Sequence, residues 1–69
     1  MLSVDSCERI LRAGANLKIE GLSADSCVRL AAAAKSAGVN LEIKGGLSAD
    51  SFVSIAGAGG ANVTIDLTE

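Results

Sequence analysis

The sequence predicts an α/β protein of three tandem αβ repeats, with a parallel three-stranded sheet in the order 1-2-3 and all helices on one face: a short solenoid. Three observations carry that prediction. One hexapeptide recurs three times, as Leu2-Ser3-Val4-Asp5-Ser6-Cys7, Leu22-Ser23-Ala24-Asp25-Ser26-Cys27 and Leu47-Ser48-Ala49-Asp50-Ser51-Phe52. Each copy is followed by helical periodicity. Each then reaches an Asn that opens an alternating segment: Asn16-Leu17-Lys18-Ile19, Asn40-Leu41-Glu42-Ile43 and Asn62-Val63-Thr64-Ile65. The chain, residues 1–69, reads as a single domain of three units, 2–21, 22–46 and 47–69.

The helix starts come first in each unit. Ser3, Ser23 and Ser48 are N-cap residues, whose side-chain oxygen accepts from an unpaired first-turn N–H. Asp5, Asp25 and Asp50 follow in the first turn, where the helix dipole favours negative charge. Leu2 with Cys7, Leu22 with Cys27, and Leu47 with Phe52 have the spacing of a hydrophobic staple. Apolar positions then recur at three- and four-residue intervals: Cys7, Ile10, Leu11; Cys27, Leu30, Ala31, Ala34; Phe52, Ile55, Ala56. Gly14, Gly38 and the Gly59-Gly60 pair stand where a left-handed cap would end each helix.

From Ser3 to Asn16 and from Ser23 to Asn40, the second unit is four residues longer than the first. Four residues are about one helical turn, so the insertion keeps the same face toward the core. The Ala31–Ala34 run and the Ala and Gly of the third helix admit two readings. They let neighbouring helices approach closely, or they reflect helix propensity alone.

The strands alternate with period two. Leu17 and Ile19, Leu41 and Ile43, and Val63, Ile65 and Leu67 point toward the helices. Lys18, Glu20, Glu42, Lys44, Thr64 and Asp66 point away. Strands buried on both faces would read as continuous apolar runs, so one sheet face is open. In-register pairing makes two polar rows, Lys18-Glu42-Thr64 and Glu20-Lys44-Asp66, with opposite charges facing across the first pair of strands.

This pattern is similar to a βα solenoid, and the family it resembles is the leucine-rich repeat: units of about 20–25 residues, a short parallel strand, a helical return and one open sheet face. The resemblance spans nearly the whole chain. It departs in detail, since the family's LxxLxLxxN signature places Asn after the strand and here Asn16, Asn40 and Asn62 precede it. It implies the general shape and no particular activity.

Chemistry is sparsely represented. The chain has no His, one Phe, and no Tyr or Trp. A serine triad therefore lacks its base, and stacking platforms for bases are absent. Cys7 and Cys27 occupy equivalent positions, and Phe in the third copy marks the slot as core; helices about 8–10 Å apart are too far for a disulfide, which needs Cα atoms within about 7 Å. Two Cys without His or a CxxC pair leave a zinc site short of ligands. Gly57-Ala58-Gly59-Gly60 runs from helix to strand, the reverse of a phosphate loop. No catalytic, cofactor-binding or metal-binding residue is assigned, and the chain is expected not to be an enzyme.

Six basic and eight acidic residues, giving a net charge of −2, are mixed along the chain, so no nucleic-acid partner is expected. No apolar run is long enough to span a bilayer, no signal peptide is read, and the cytoplasm is the default location. A chain of 69 residues buries only about 60% of its unfolded surface alone, so its stability is expected to be marginal without association. Neither end carries a polar capping repeat, and both outer strands keep unpaired backbone groups. The expected function is a structural repeat module that associates with itself through its ends, head to tail as a ring or filament, or edge to edge as a dimer. The alternative is a protein-binding module using Lys18, Glu20, Glu42, Lys44, Thr64 and Asp66.

Overall fold

The computed structural model describes residues 2–68. Helices and strands alternate along the chain: α1 (Val4–Arg12), β1 (Leu17–Ile19), α2 (Ala24–Ala37), β2 (Leu41–Lys44), α3 (Ala49–Gly59), a single 3₁₀ turn (Gly60–Asn62) and β3 (Val63–Asp66). The three strands form one parallel sheet in the order β1-β2-β3. Each unit contributes one helix and one strand, and the extra residues of the second unit lengthen α2 to 14 residues against 9 in α1.

The three helices start by the same device. Ser3, Ser23 and Ser48 have extended backbones, and their side chains accept from the N–H of Ser6, Ser26 and Ser51 at 3.1, 3.3 and 3.2 Å. Each cap hydroxyl also donates to the hydroxyl of that second serine. The second serine of the hexapeptide thus takes the position that Glu or Gln holds in a capping box.

Two of the helix ends match the glycine cap expected for them. Gly38 ends α2 with φ 71° and ψ 29°, and the N–H of Val39 reaches back to the Ala34 carbonyl at 3.1 Å. Gly14, with φ 106°, follows α1, and the N–H of Ala15 donates to the Ile10 carbonyl at 3.3 Å. The third end differs. Gly59 is still helical, and Gly60 has φ 57° with ψ −132°, so the chain leaves α3 through the 3₁₀ turn instead of a left-handed cap. Gly59 has another task. A Cβ there would lie 2.2 Å from Val63 Cγ2, 3.1 Å from Ala31 Cβ and 3.2 Å from the Ala31 carbonyl oxygen. Only glycine lets α3 approach α2 and β3 this closely, which settles the role of small residues at this crossing.

The core lies between the helices and one sheet face. Its buried members are Cys7, Leu11, Cys27, Leu30, Ala31, Ala33, Ala34, Leu41, Ile43 and Ile55. The middle strand is fully covered on this face, at 0% exposure for Leu41 and 2% for Ile43, whereas Leu17, Ile19 and Val63 on the outer strands are half-buried. Both cysteines are buried free thiols. Burial pushes the Cys27 thiol above its ordinary pKa, because the thiolate would lose its hydration.

Three inward-facing assignments fail, all at the ends of the stack. Ala56 is exposed, because α3 is the last helix described and no further helix packs on it there. Leu67 lies beyond β3 and is 72% exposed. Leu2, on the outermost unit described, is 58% exposed; Leu22 and Leu47, at the same position, pack against the core.

Candidate functional site

The polar sheet face is built by strand register. Lys18 pairs with Glu42 and Glu42 with Thr64; Lys44 pairs with Asp66. The first predicted row is therefore present in full. The second begins at Lys44, because β1 ends at Ile19 and leaves Glu20 past the last paired residue. Lys18 Nζ lies 4.0 Å from Glu42 Oε2, a long and solvated ion pair, and no such pair joins Glu20 to Lys44 among the described residues. An open groove crosses this face, lined by Lys18, Ile19, Glu20, Glu42, Lys44 and Asp66. Thr64 is turned aside: its hydroxyl donates to Asn40 Oδ1 at 3.2 Å. Asp66 accepts from both the hydroxyl and the N–H of Thr68, which hold its carboxyl below the usual carboxylate range. The groove is a mosaic of alternating charges with no aromatic side chain and no enclosed wall.

Two constellations went unread in the sequence. The first is a ladder of the three asparagines. Asn16 Oδ1 accepts from the N–H of Asn40 at 2.8 Å, Asn40 Oδ1 accepts from Thr64, and Asn62 Nδ2 donates to the Val39 carbonyl at 2.9 Å. It ties successive units together where the chain enters each strand. The recurrence of Asn was visible; its cross-unit partner was not, because that depends on the register.

The second is a charge cluster between helices. Arg29 of α2 donates to Glu8 Oε1 of α1 at 2.7 Å and to Asp5, while Arg12 donates to the other oxygen of Glu8 at 3.1 Å. The Arg29 and Arg12 guanidiniums hold the Glu8 carboxyl below its ordinary range. Counted from the cap serine, acids two and five residues on thus face the following unit, and a base six residues on faces the preceding one.

That offset locates the leading and trailing faces. Seven residues after the cap stand Ile10, Leu30 and Ile55; the last two are at 0% exposure and Ile10 is half-open. Eight residues after it stand Leu11, Ala31 and Ala56; the first two are at 0% and Ala56 is exposed. The same repeat position is sealed in the interior and open at an end. Leu2, Cys7, Ile10, Leu17 and Ile19 line an apolar hollow on the leading side. On the trailing side Val53 is 70% exposed.

The strand-to-helix turn Lys44-Gly45-Gly46-Leu47-Ser48 has the polarity of an anion loop that Gly57–Gly60 lacks. Two donors near it are engaged: Gly45 N–H bonds to the Asp66 carbonyl at 2.8 Å, and Ser51 N–H, in the first turn of α3, to Ser48 Oγ. Among the described residues no group of three or more His, Cys, Asp or Glu is placed to hold a metal ion, and no helix is long and apolar enough to cross a membrane. The chain matches no protein-family model, and neither the curated proteins nor the solved structures include one detectably similar to it.

Proposed function

We propose that the chain is a non-catalytic structural repeat module that associates with other copies of itself through its open ends, head to tail as a ring or filament, or edge to edge as a dimer. One observation carries this reading. Repeat positions at 0% exposure inside the stack, such as Leu30 and Ala31, are open at the ends as Ile10 and Ala56. Both outer strands also keep a free edge of backbone N–H and C=O groups. Covering these ends removes apolar surface from water, at about 25 cal/mol per Å². It also gives a 69-residue chain the burial that its length denies it. The free, buried thiols suit a reducing compartment, and with it the cytoplasm. The test is the midpoint of thermal unfolding as a function of chain concentration. Association through native ends raises the midpoint as concentration rises; a midpoint constant over a hundredfold range of concentration refutes the reading.

The second reading is a protein-binding module using the groove of Lys18, Glu20, Glu42, Lys44 and Asp66, with Thr64 at its margin. Its support is the ordered alternation of charge across the strands, which could match a partner of inverse pattern. It ranks second because the face has no aromatic anchor of the kind that dominates protein interfaces. Simultaneous alanine substitution of the six residues separates the two readings. If the polar face is a protein-binding site, capture of a partner protein is lost while the fold stays intact; self-association through the ends survives.

A further inference from the structure

We infer that two copies dock head to tail, α3 of one chain against α1 of the next, with Arg9 of the second chain on Asp50 of the first. The inference rests on the self-association reading and adds the register and the partner surface.

The template is internal. Arg29 stands six residues after its cap serine and reaches back to the acids two and five residues after the preceding cap, Asp5 and Glu8. Arg9 stands at the same position in the first unit. It is exposed and makes no ion pair among the described residues, α1 being the outermost helix described. Asp50 stands at the position of Asp5 in the last unit, is exposed, and likewise has no cationic partner among the described residues. The third unit has Ser54 where Arg9 and Arg29 stand, so Asp25 gains no such arginine within the chain. Arginine thus occurs at this position in the unit that leads the chain as well as inside it.

The apolar parts match in the same way. The hollow lined by Leu2, Cys7, Ile10, Leu17 and Ile19 is what the leading face of a unit presents when nothing covers it. Val53 and Ala56 occupy the positions by which Glu8 and Leu11 of α1 face α2. One step of the repeat therefore brings Val53 and Ala56 to that hollow and places β3 beside β1 as a parallel neighbour, with Val63, Thr64 and Ile65 opposite Leu17, Lys18 and Ile19. A two-fold dimer would set each face against itself and leave Arg9 without its carboxylate. A heterologous contact is the arrangement in which the leading and trailing faces both find their complement. The same register sets Asp66 opposite Glu20, a like-charged pair on the open face.

The experiment is a charge swap read by sedimentation velocity on the full chain. Four proteins are compared: the unaltered chain, Arg9→Glu, Asp50→Arg, and Asp25→Arg as a control that loses a first-turn acid away from either end. Circular dichroism establishes that each is folded. Arg9→Glu and Asp50→Arg each weaken self-association by roughly tenfold or more, Asp25→Arg does not, and an equimolar mixture of the first two restores assembly, since each then meets the opposite charge. Glu20→Lys tightens association of the unaltered chain. If the unaltered chain associates but both reversals associate equally well, or their mixture gains nothing, the register is wrong and self-association stands. If the unaltered chain does not associate, both readings fall.

Discussion

Arg29 of α2 reaches across to Glu8 of α1 and bonds its carboxylate at 2.7 Å, while Arg12, one turn along α1, holds the other oxygen. The carboxylate is shared between two units, so its protonation bears on how they are joined. Its folded pKa lies below the ordinary value of about 4.3. A group whose pKa falls on folding adds stability above its unfolded pKa and loses it as pH falls toward the folded one. Both partners are solvent-accessible, so the contribution is modest and screened by salt.

Glu8→Gln therefore lowers the urea midpoint at pH 7, and the gap to the unaltered chain narrows at a pH below the ordinary glutamate pKa of about 4.3. Equilibrium unfolding at the two pH values checks this. A gap that stays constant with pH would show that Glu8 acts through shape and not charge.

Gly59 and Gly57 lie on the same helix with opposite surroundings. Gly→Ala in an exposed helix interior ordinarily stabilises by roughly 0.5–1 kcal/mol. Nothing lies within 4 Å of a Cβ at Gly57, so Gly57→Ala follows the rule. At Gly59 a Cβ meets Val63, the Ala31 side chain and the Ala31 backbone, and Gly59→Ala destabilises by about 1–3 kcal/mol. Chemical denaturation of both variants measures the signs; stabilisation by Gly59→Ala would mean that α2 and α3 are farther apart than described.

Cys7 and Cys27 are both buried, and burial keeps the Cys27 thiol protonated. A thiol-reactive dye at pH 8 labels neither in the native chain and labels two per chain in urea. Fast native labelling of Cys27 would place that residue at the surface.

The fold was legible because local signals repeat. Ser3, Ser23 and Ser48 mark three helix starts, and Leu41-Glu42-Ile43 alternates as a strand with one covered face must. Two observations then fixed the sheet: a helix between strands forces them parallel, and equal motifs force them in register. What was not legible depends on neighbours. Ala56 follows the helical period like Leu11 and Ala31, yet is exposed because burial at that position comes from the adjoining unit, and α3 is the last helix described. Leu67 continues the alternation of Val63 and Ile65, but β3 ends at Asp66. Glu20 falls off the predicted polar row because β1 ends one residue before it. Arg29 on Glu8 was hidden because charge between units becomes readable only after the cap serines are superimposed.

The central claim is that the sealed interior positions become sealed at the ends as well, by another copy. Sedimentation equilibrium over roughly the micromolar to millimolar range tests it most directly. The account predicts a weight-average mass that rises with concentration and continues past the dimer, as a head-to-tail contact allows. A cooperatively folded chain that keeps the mass of a single copy throughout that range would contradict it.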